Sequence, residues 1–152
     1  NEEAVAKVQS HISDALSKGA SLISGGKRLA GDGTFFEPTI ITGVTSEMLV
    51  CQEETFGPLA GVIKFKTEQE AIEIANNTPF GLAAYFFTKD NARTWRVGEA
   101  LEVGVVGINT GLISYEGAPF GGVKESGIGR EGSLHGVDEF VEIKYLCIDQ
   151  IN

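Results

Sequence analysis

Apolar residues recur along the first stretch of the chain at Val5, Val8, Ile12, Ala15 and Leu16, the spacing of one helical face. Gly19 follows where a left-handed residue closes a helix. Leu22 and Ile23 predict a short strand ended by Gly25 and Gly26. Residues 35–41 read as a strand that Pro38 confines to an edge or an irregular path. Residues 59–65 are apolar and strand-like. Thr67-Glu68-Gln69-Glu70 is a capping box, in which Thr67 and Glu70 each satisfy a free backbone donor. The helix it opens carries Ala71, Ile74 and Ala75 and ends near Asn76 and Asn77. Residues 82–88 predict the next strand, Asp90 caps a helix running through Trp95 to about Leu101, and residues 103–108 predict another strand. Strands and helices alternating with short connections make a βαβαβ unit, which implies a parallel sheet covered on both faces.

Periodicity lapses over residues 109–129, and a loop of that length inside a compact domain is usually functional or disordered. Residues 130–138 read as one short helix. Residues 140–148 then alternate, with Val141, Ile143, Tyr145 and Cys147 on one face. The other face carries Glu142 and Lys144 beside Phe140, Leu146 and Ile148, so both faces hold apolar side chains.

Composition narrows the partners. A chain of 152 residues can bury a real core as one domain. Its net charge is −9, from 12 basic and 21 acidic residues, and no Lys/Arg cluster forms the basic face a nucleic acid or an anionic membrane needs. No apolar run approaches the roughly 18 residues of a membrane span. Cys51 and Cys147 are the only cysteines, with no CxxC or Cys/His cluster, so no metal site is expected and a reducing compartment is. No targeting peptide is visible, and a chain that opens on Asn1 rather than Met favours a piece of a longer protein over an independent product.

Several residues are candidates for chemistry. Gly127-Ile128-Gly129-Arg130-Glu131-Gly132 matches G-x-G-x-x-G, but a dinucleotide fingerprint must directly follow a strand, and the nearest predicted one ends about Ile108. The reading is a loop whose glycines permit positive φ. Glu53 and Glu54 are adjacent carboxylates that point opposite ways on an extended chain. Either one of them faces a ligand or both are solvated surface. Cys51 has neither a base nor an anion hole beside it in sequence, and neither His11 nor His135 is spaced to complete a triad. Ser114 and Phe120 lie in the long loop, where a hydroxyl caps something local and an aromatic ring packs, unless a ligand is at hand.

Three stretches taken together resemble aldehyde dehydrogenases. Glu53-Glu54-Thr55-Phe56-Gly57-Pro58 is similar to that family's E-E-x-F-G-P motif. Pro119-Phe120-Gly121-Gly122-Val123-Lys124-Glu125-Ser126-Gly127-Ile128-Gly129-Arg130-Glu131 is similar to its P-F-G-G-x-K-x-S-G-x-G-R-E segment, and Asn77-Thr78-Pro79-Phe80-Gly81-Leu82 resembles an N-x-x-x-G-L step between them. Gly111-Leu112-Ile113-Ser114 with Glu142-Ile143-Lys144-Tyr145 resembles the succinate-semialdehyde branch, and enzymes of glutarate semialdehyde look similar.

The resemblance implies an α/β fold: the C-terminal part of the catalytic domain over residues 1–138, an open and mainly parallel sheet with covering helices, then an oligomerisation strand over residues 139–152. It implies NAD or NADP as cofactor and a semialdehyde as substrate. It also implies a homo-oligomer, the rest of the dehydrogenase chain as partner, and a cytoplasmic or mitochondrial-matrix location. Glu54 would accept hydrogen bonds from the nicotinamide ribose hydroxyls, and Phe56 would pack beside the nicotinamide. Phe120 would line the aldehyde tunnel and Ser114 would hydrogen-bond the substrate's distal carboxylate. The family's nucleophilic cysteine, its general base and its dinucleotide domain precede the residues matching Asn1, so no catalytic residue is expected here and the isolated chain should be inactive. The alternatives are a non-catalytic assembly module and a dehydrogenase of another aldehyde.

Overall fold

The computed structural model describes residues 1–150. Two units divide the chain, Asn1–Ile74 and the residues from Ala75 onward.

The first unit is built on α1 (Glu2–Ser17). Asn1 caps it, its side chain accepting from the Ala4 N–H at 2.9 Å. The apolar stripe turns inward as its spacing predicts: Val5, Val8, Ile12 and Ala15 are buried. Leu16 lies at the edge of that stripe and is 40% exposed, and the position taken into the interior instead is His11. Lys18 ends the helix and Gly19 beyond it has φ +97°, the left-handed conformation expected there. Strand β1 (Ser21–Ser24) pairs antiparallel with β2 (Thr39–Thr42), and β2 pairs parallel with β3 (Leu59–Val62). Pro38 sits just before β2, so the strand starts after the residue that lacks an N–H. A one-turn helix the hydrophobic pattern does not announce, α2 (Leu49–Gln52), hangs from α1: the Leu49 N–H donates to Asp14 Oδ2 at 2.8 Å. Ala15, Ala20, Ile41, Val44 and Met48 form the core, with Val50, Cys51, Leu59 and Ile63 packed around it.

Helix α3 (Glu68–Asn76) opens on the expected capping box, with one difference. Glu70 N–H donates to Thr67 Oγ1 at 3.1 Å, but the Glu70 carboxylate reaches past Thr67 to the Lys66 N–H at 2.7 Å.

In the second unit, β5 (Ala83–Phe86) runs through α4 (Asn91–Ala100) to β6 (Val105–Ile108), and β5 and β6 pair in parallel. Asp90 caps α4 as predicted, accepting from Ala92 and Arg93 N–H groups. Short β4 (Phe80–Gly81) and β7 (Val123–Lys124) pair antiparallel. Gly104 must be glycine, because a Cβ there would drive into the Gly121 carbonyl.

The single parallel sheet expected from the βαβαβ pattern is not formed. The ladders are three small sheets, β1-β2-β3, β4-β7 and β5-β6, and two of them contain antiparallel pairs. Residues 59–65 find their partner in β2 rather than in the strand that follows α3. Alternation of apolar residues identifies a strand, but its neighbour is chosen by packing elsewhere in the chain. The helix read over residues 130–138 is also displaced: a 3-10 helix spans His135–Phe140. Residues 141–150 pair with no strand among the described residues, and Ile143, Tyr145, Leu146 and Ile148 are exposed. Val97 is the one buried hydrophobic side chain of this unit among the described residues, while Phe87, Trp95 and Leu134 stand largely in solvent. Apolar surface on this scale marks faces that another surface normally covers.

Candidate functional site

Two places gather the candidate residues, one in each unit. The first is the extended segment after α2. Its backbone leaves the helix at Glu53 with φ −122° and ψ +150°, so neighbouring side chains diverge. Glu53 turns to α1, where its Oε2 lies 3.3 Å from His11 Nε2 and 3.6 Å from Lys7 Nζ. Thr55 Oγ1 lies 2.6 Å from His11 Nδ1. Glu54 and Phe56 instead border a groove of about 220 Å³ with Asn1, Glu3, Lys7 and Val8. The Glu54 carboxylate has no partner among the described residues, and the Phe56 ring is 84% exposed. Of the two adjacent carboxylates, then, one is tied to the fold and one stands unpartnered on the groove. A free carboxylate two residues from a bare aromatic ring fits a ribose diol and a flat heterocycle, as the resemblance requires of Glu54 and Phe56.

The second place is formed by the glycine-rich segment. Phe120 and Glu131 exchange two backbone hydrogen bonds, at 2.9 and 2.7 Å, closing a loop. Gly127, Gly129 and Gly132 all have positive φ, so this G-x-G-x-x-G serves a turn. A strand does lie closer than the sequence suggests, since β7 ends at Lys124, but no α-helix opens after the glycines. Arg130 Nη1 donates to the Gly122 and Gly129 carbonyls at 2.8 and 2.7 Å. Ser126 Oγ accepts from the Gly81 N–H at 2.9 Å. Leu82, Phe120, Ser126, Arg130, Glu139 and Phe140 line the resulting cavity of about 410 Å³. Phe120 is therefore on a cavity wall. Ser114 is not; it is exposed on the preceding loop, which is tied down by Ala118 N–H to the Tyr115 carbonyl and Ser133 N–H to the Glu116 carbonyl.

Cys51 is half-buried against the core of the first unit, and burial pushes its thiol up, away from the thiolate a nucleophile needs. Among the described residues no three His, Cys, Asp or Glu side chains are grouped to hold a metal, and no helix is long and apolar enough to cross a membrane. His11 has no triad spacing in the sequence, which points to no other role for it. Its only signal was its place three after Val8 and four before Ala15, on the apolar stripe.

Residues 1–146 of this α/β chain match the model of the aldehyde dehydrogenase family, and the chain belongs to that family. It is 60% identical over 149 residues to a glutarate-semialdehyde dehydrogenase of Pseudomonas aeruginosa, covering 98% of this chain and 31% of that one. It is 58% identical to the mitochondrial succinate-semialdehyde dehydrogenase of Rattus norvegicus, covering 97% and 28%, and 57% identical to a 3-sulfolactaldehyde dehydrogenase of Pseudomonas putida, covering 100% and 31%. Among solved structures it superposes on succinate-semialdehyde dehydrogenase from Burkholderia pseudomallei with TM-score 0.93 at 64% identity, covering 97% of this chain and 31% of that one. The corresponding values for an NADP-dependent enzyme of E. coli are 0.95, 57%, 99% and 31%. For a betaine aldehyde dehydrogenase of Staphylococcus aureus in complex with NAD+ they are 0.85, 42%, 92% and 28%. The chain thus spans about 30% of the length of the relatives it matches.

Proposed function

We propose that this chain is the C-terminal part of the catalytic domain of an NAD(P)-dependent semialdehyde dehydrogenase, with succinate semialdehyde as its substrate. The bound nicotinamide would supply the hydride acceptor. Glu54 receives the ribose hydroxyls, Phe56 packs beside the nicotinamide, Phe120 walls the aldehyde's path and Ser114 reads its distal carboxylate. Residues 141–150 pair with a neighbouring subunit; the expected strand over residues 139–152 loses its first two residues to the 3-10 helix, and its last two lie outside the described residues. The observation that carries this is the divided acidic pair: Glu53 is bound to α1 while Glu54 and Phe56 are left open on one groove. The substrate class is supported by the relatives, whose names specify aldehydes carrying an anionic group at the far end. A five-carbon substrate is the second reading, because the relative from Pseudomonas aeruginosa is named for glutarate semialdehyde.

The test uses the full-length enzyme. A hydrogen bond to a charged group contributes about 1.5–3 kcal/mol, so Glu54→Gln should slow hydride transfer or weaken cofactor binding about tenfold or more. Unchanged single-turnover rate and unchanged cofactor affinity would make Glu54 plain surface. Ser114→Ala should lower kcat/KM for succinate semialdehyde about tenfold relative to butanal, which has no carboxylate. Equal losses for the two would mean that Ser114 supports its loop only. Including glutarate semialdehyde in the same series decides the carbon count.

A further inference from the structure

We propose that His11 is a positioning residue for the cofactor groove, holding Glu54 and Phe56 in place from inside α1. This rests on the reading of those two residues given above.

The imidazole is 1% exposed and sits in a stripe that is otherwise apolar. A polar ring there is costly unless both nitrogens are paired. Both are, and neither partner belongs to the helix: Nδ1 meets Thr55 Oγ1 at 2.6 Å and Nε2 meets Glu53 Oε2 at 3.3 Å. An ionised carboxylate has no proton to give, so Nε2–H donates to Glu53. In the neutral ring Nδ1 is then bare, and the Thr55 hydroxyl donates to it. One ring thus holds the residue before Glu54 and the residue between Glu54 and Phe56.

Little else holds that stretch. The backbone N–H groups of Glu54, Thr55 and Phe56 make no hydrogen bond among the described residues. The backbone ties around it are Glu53 N–H to the Leu49 carbonyl at 2.9 Å, the tight turn Gly57 N–H to the Thr55 carbonyl at 3.0 Å, and Thr39 N–H to the Pro58 carbonyl at 2.8 Å; the turn is local and does not anchor the segment to α1. Lys7 reaches only Glu53, at 3.6 Å and in solvent, where such a pair contributes little. Gly57 lies against Val8, which sets the height of the segment over the helix but not its rotation. The hydrogen bonds of His11 are what orient the two side chains on the groove.

The experiment compares variants of the full-length enzyme. His11→Phe keeps a ring and removes both nitrogens, Thr55→Val keeps the shape and removes the hydroxyl, and His11→Gln returns an amide. Cofactor dissociation constants are read by fluorescence titration, beside KM for cofactor, KM for aldehyde, kcat and Tm. His11→Phe is expected to weaken cofactor binding about tenfold with KM for the aldehyde unchanged, from the loss of a hydrogen bond to a charged group. Thr55→Val added to His11→Phe should weaken it no further, since the two changes remove one interaction. His11→Gln should recover most of the affinity. Cofactor affinity within twofold of wild type for His11→Phe, or equal losses for cofactor and aldehyde that His11→Gln does not restore, overturns the proposal. Should His11→Phe fail to fold, Thr55→Val decides alone, an unchanged affinity overturning it. Glu54→Gln is the control: if it weakens the cofactor and His11→Phe does not, only the role of His11 falls. If Glu54→Gln itself changes nothing, the cofactor reading falls and this proposal with it.

Discussion

Removing the Ser126 hydroxyl should loosen one end of the glycine-rich segment, and the size of the effect follows from what that hydroxyl holds. Ser126 Oγ accepts the Gly81 N–H at 2.9 Å. Gly81 is buried and enclosed: a Cβ on it would meet the Glu102 carbonyl at 2.6 Å and Val123 Cγ2 at 2.7 Å. The β4–β7 ladder it belongs to is only two residues long, Phe80 opposite Lys124 and Gly81 opposite Val123. Few other bonds share the load, chiefly Gly104 N–H to the Gly81 carbonyl and Glu125 N–H to the Pro79 carbonyl, both at 3.0 Å. Ser126→Ala strands a buried donor, which costs about 1–3 kcal/mol. At about 1.4 kcal/mol per factor of ten, the Gly81 amide should exchange with solvent roughly five to a hundred times faster. Native-state hydrogen exchange on the full-length protein, resolved to the peptide holding Gly81, measures this directly. Ser17→Ala is the control, since its hydroxyl donates to the Asp14 carbonyl on an exposed helix end and its loss strands no buried group. Unchanged exchange at Gly81 in Ser126→Ala would refute the reasoning, because it would mean that water replaces the hydroxyl without penalty.

Asp14 should steepen the acid limb of stability. The Lys18 ammonium and then the Leu49 N–H hold its carboxyl below the ordinary value of 3.8, so its contribution is complete above that value and is lost as pH falls through the lower folded one. The gap in denaturant midpoint between wild type and Asp14→Asn should be wide at pH 7 and shrink progressively as pH falls below 3.8, and a gap that stays constant over that fall would sink the assignment. For the tail, Ile143→Pro removes a backbone donor from the proposed intersubunit ladder. It should lower the assembled mass of the full-length protein by light scattering, whereas unchanged mass at all concentrations would remove residues 141–150 from the interface.

What could be read from the sequence was what is decided within one turn or one strand. The stripe of α1, the closing Gly19, the Asp90 cap and the Thr67–Glu70 box depend on neighbours three or four residues away, and each is found in place or nearly so. The sheet pairings depend on distant surfaces, and there the reading failed: β3 joins β2 across α2, not the strand that follows it. The tail alternates as a strand should, yet alternation carries no information about which chain supplies the partner.

The same division runs through the candidate site. That Glu53 and Glu54 part company follows from extended geometry alone. Which of them stays free does not, because the choice is made by Lys7 and His11, and the His11 contact to Glu53 closes over 42 residues of chain. The contacts of His11 are hidden in the sequence for a related reason. On a helical wheel it is one polar residue on an apolar face, and only the arrival of Glu53 and Thr55 gives its two nitrogens a purpose. The G-x-G-x-x-G string shows the converse. Its glycines take positive φ at Gly127, Gly129 and Gly132, the same freedom a phosphate-binding turn exploits. What a phosphate needs beyond that freedom is the first turn of an α-helix directly after a strand, with its free N–H groups converging. Here the segment folds back through the Phe120–Glu131 bridge and leads into a 3-10 helix at His135–Phe140, so the conformation is shared and the chemistry is not.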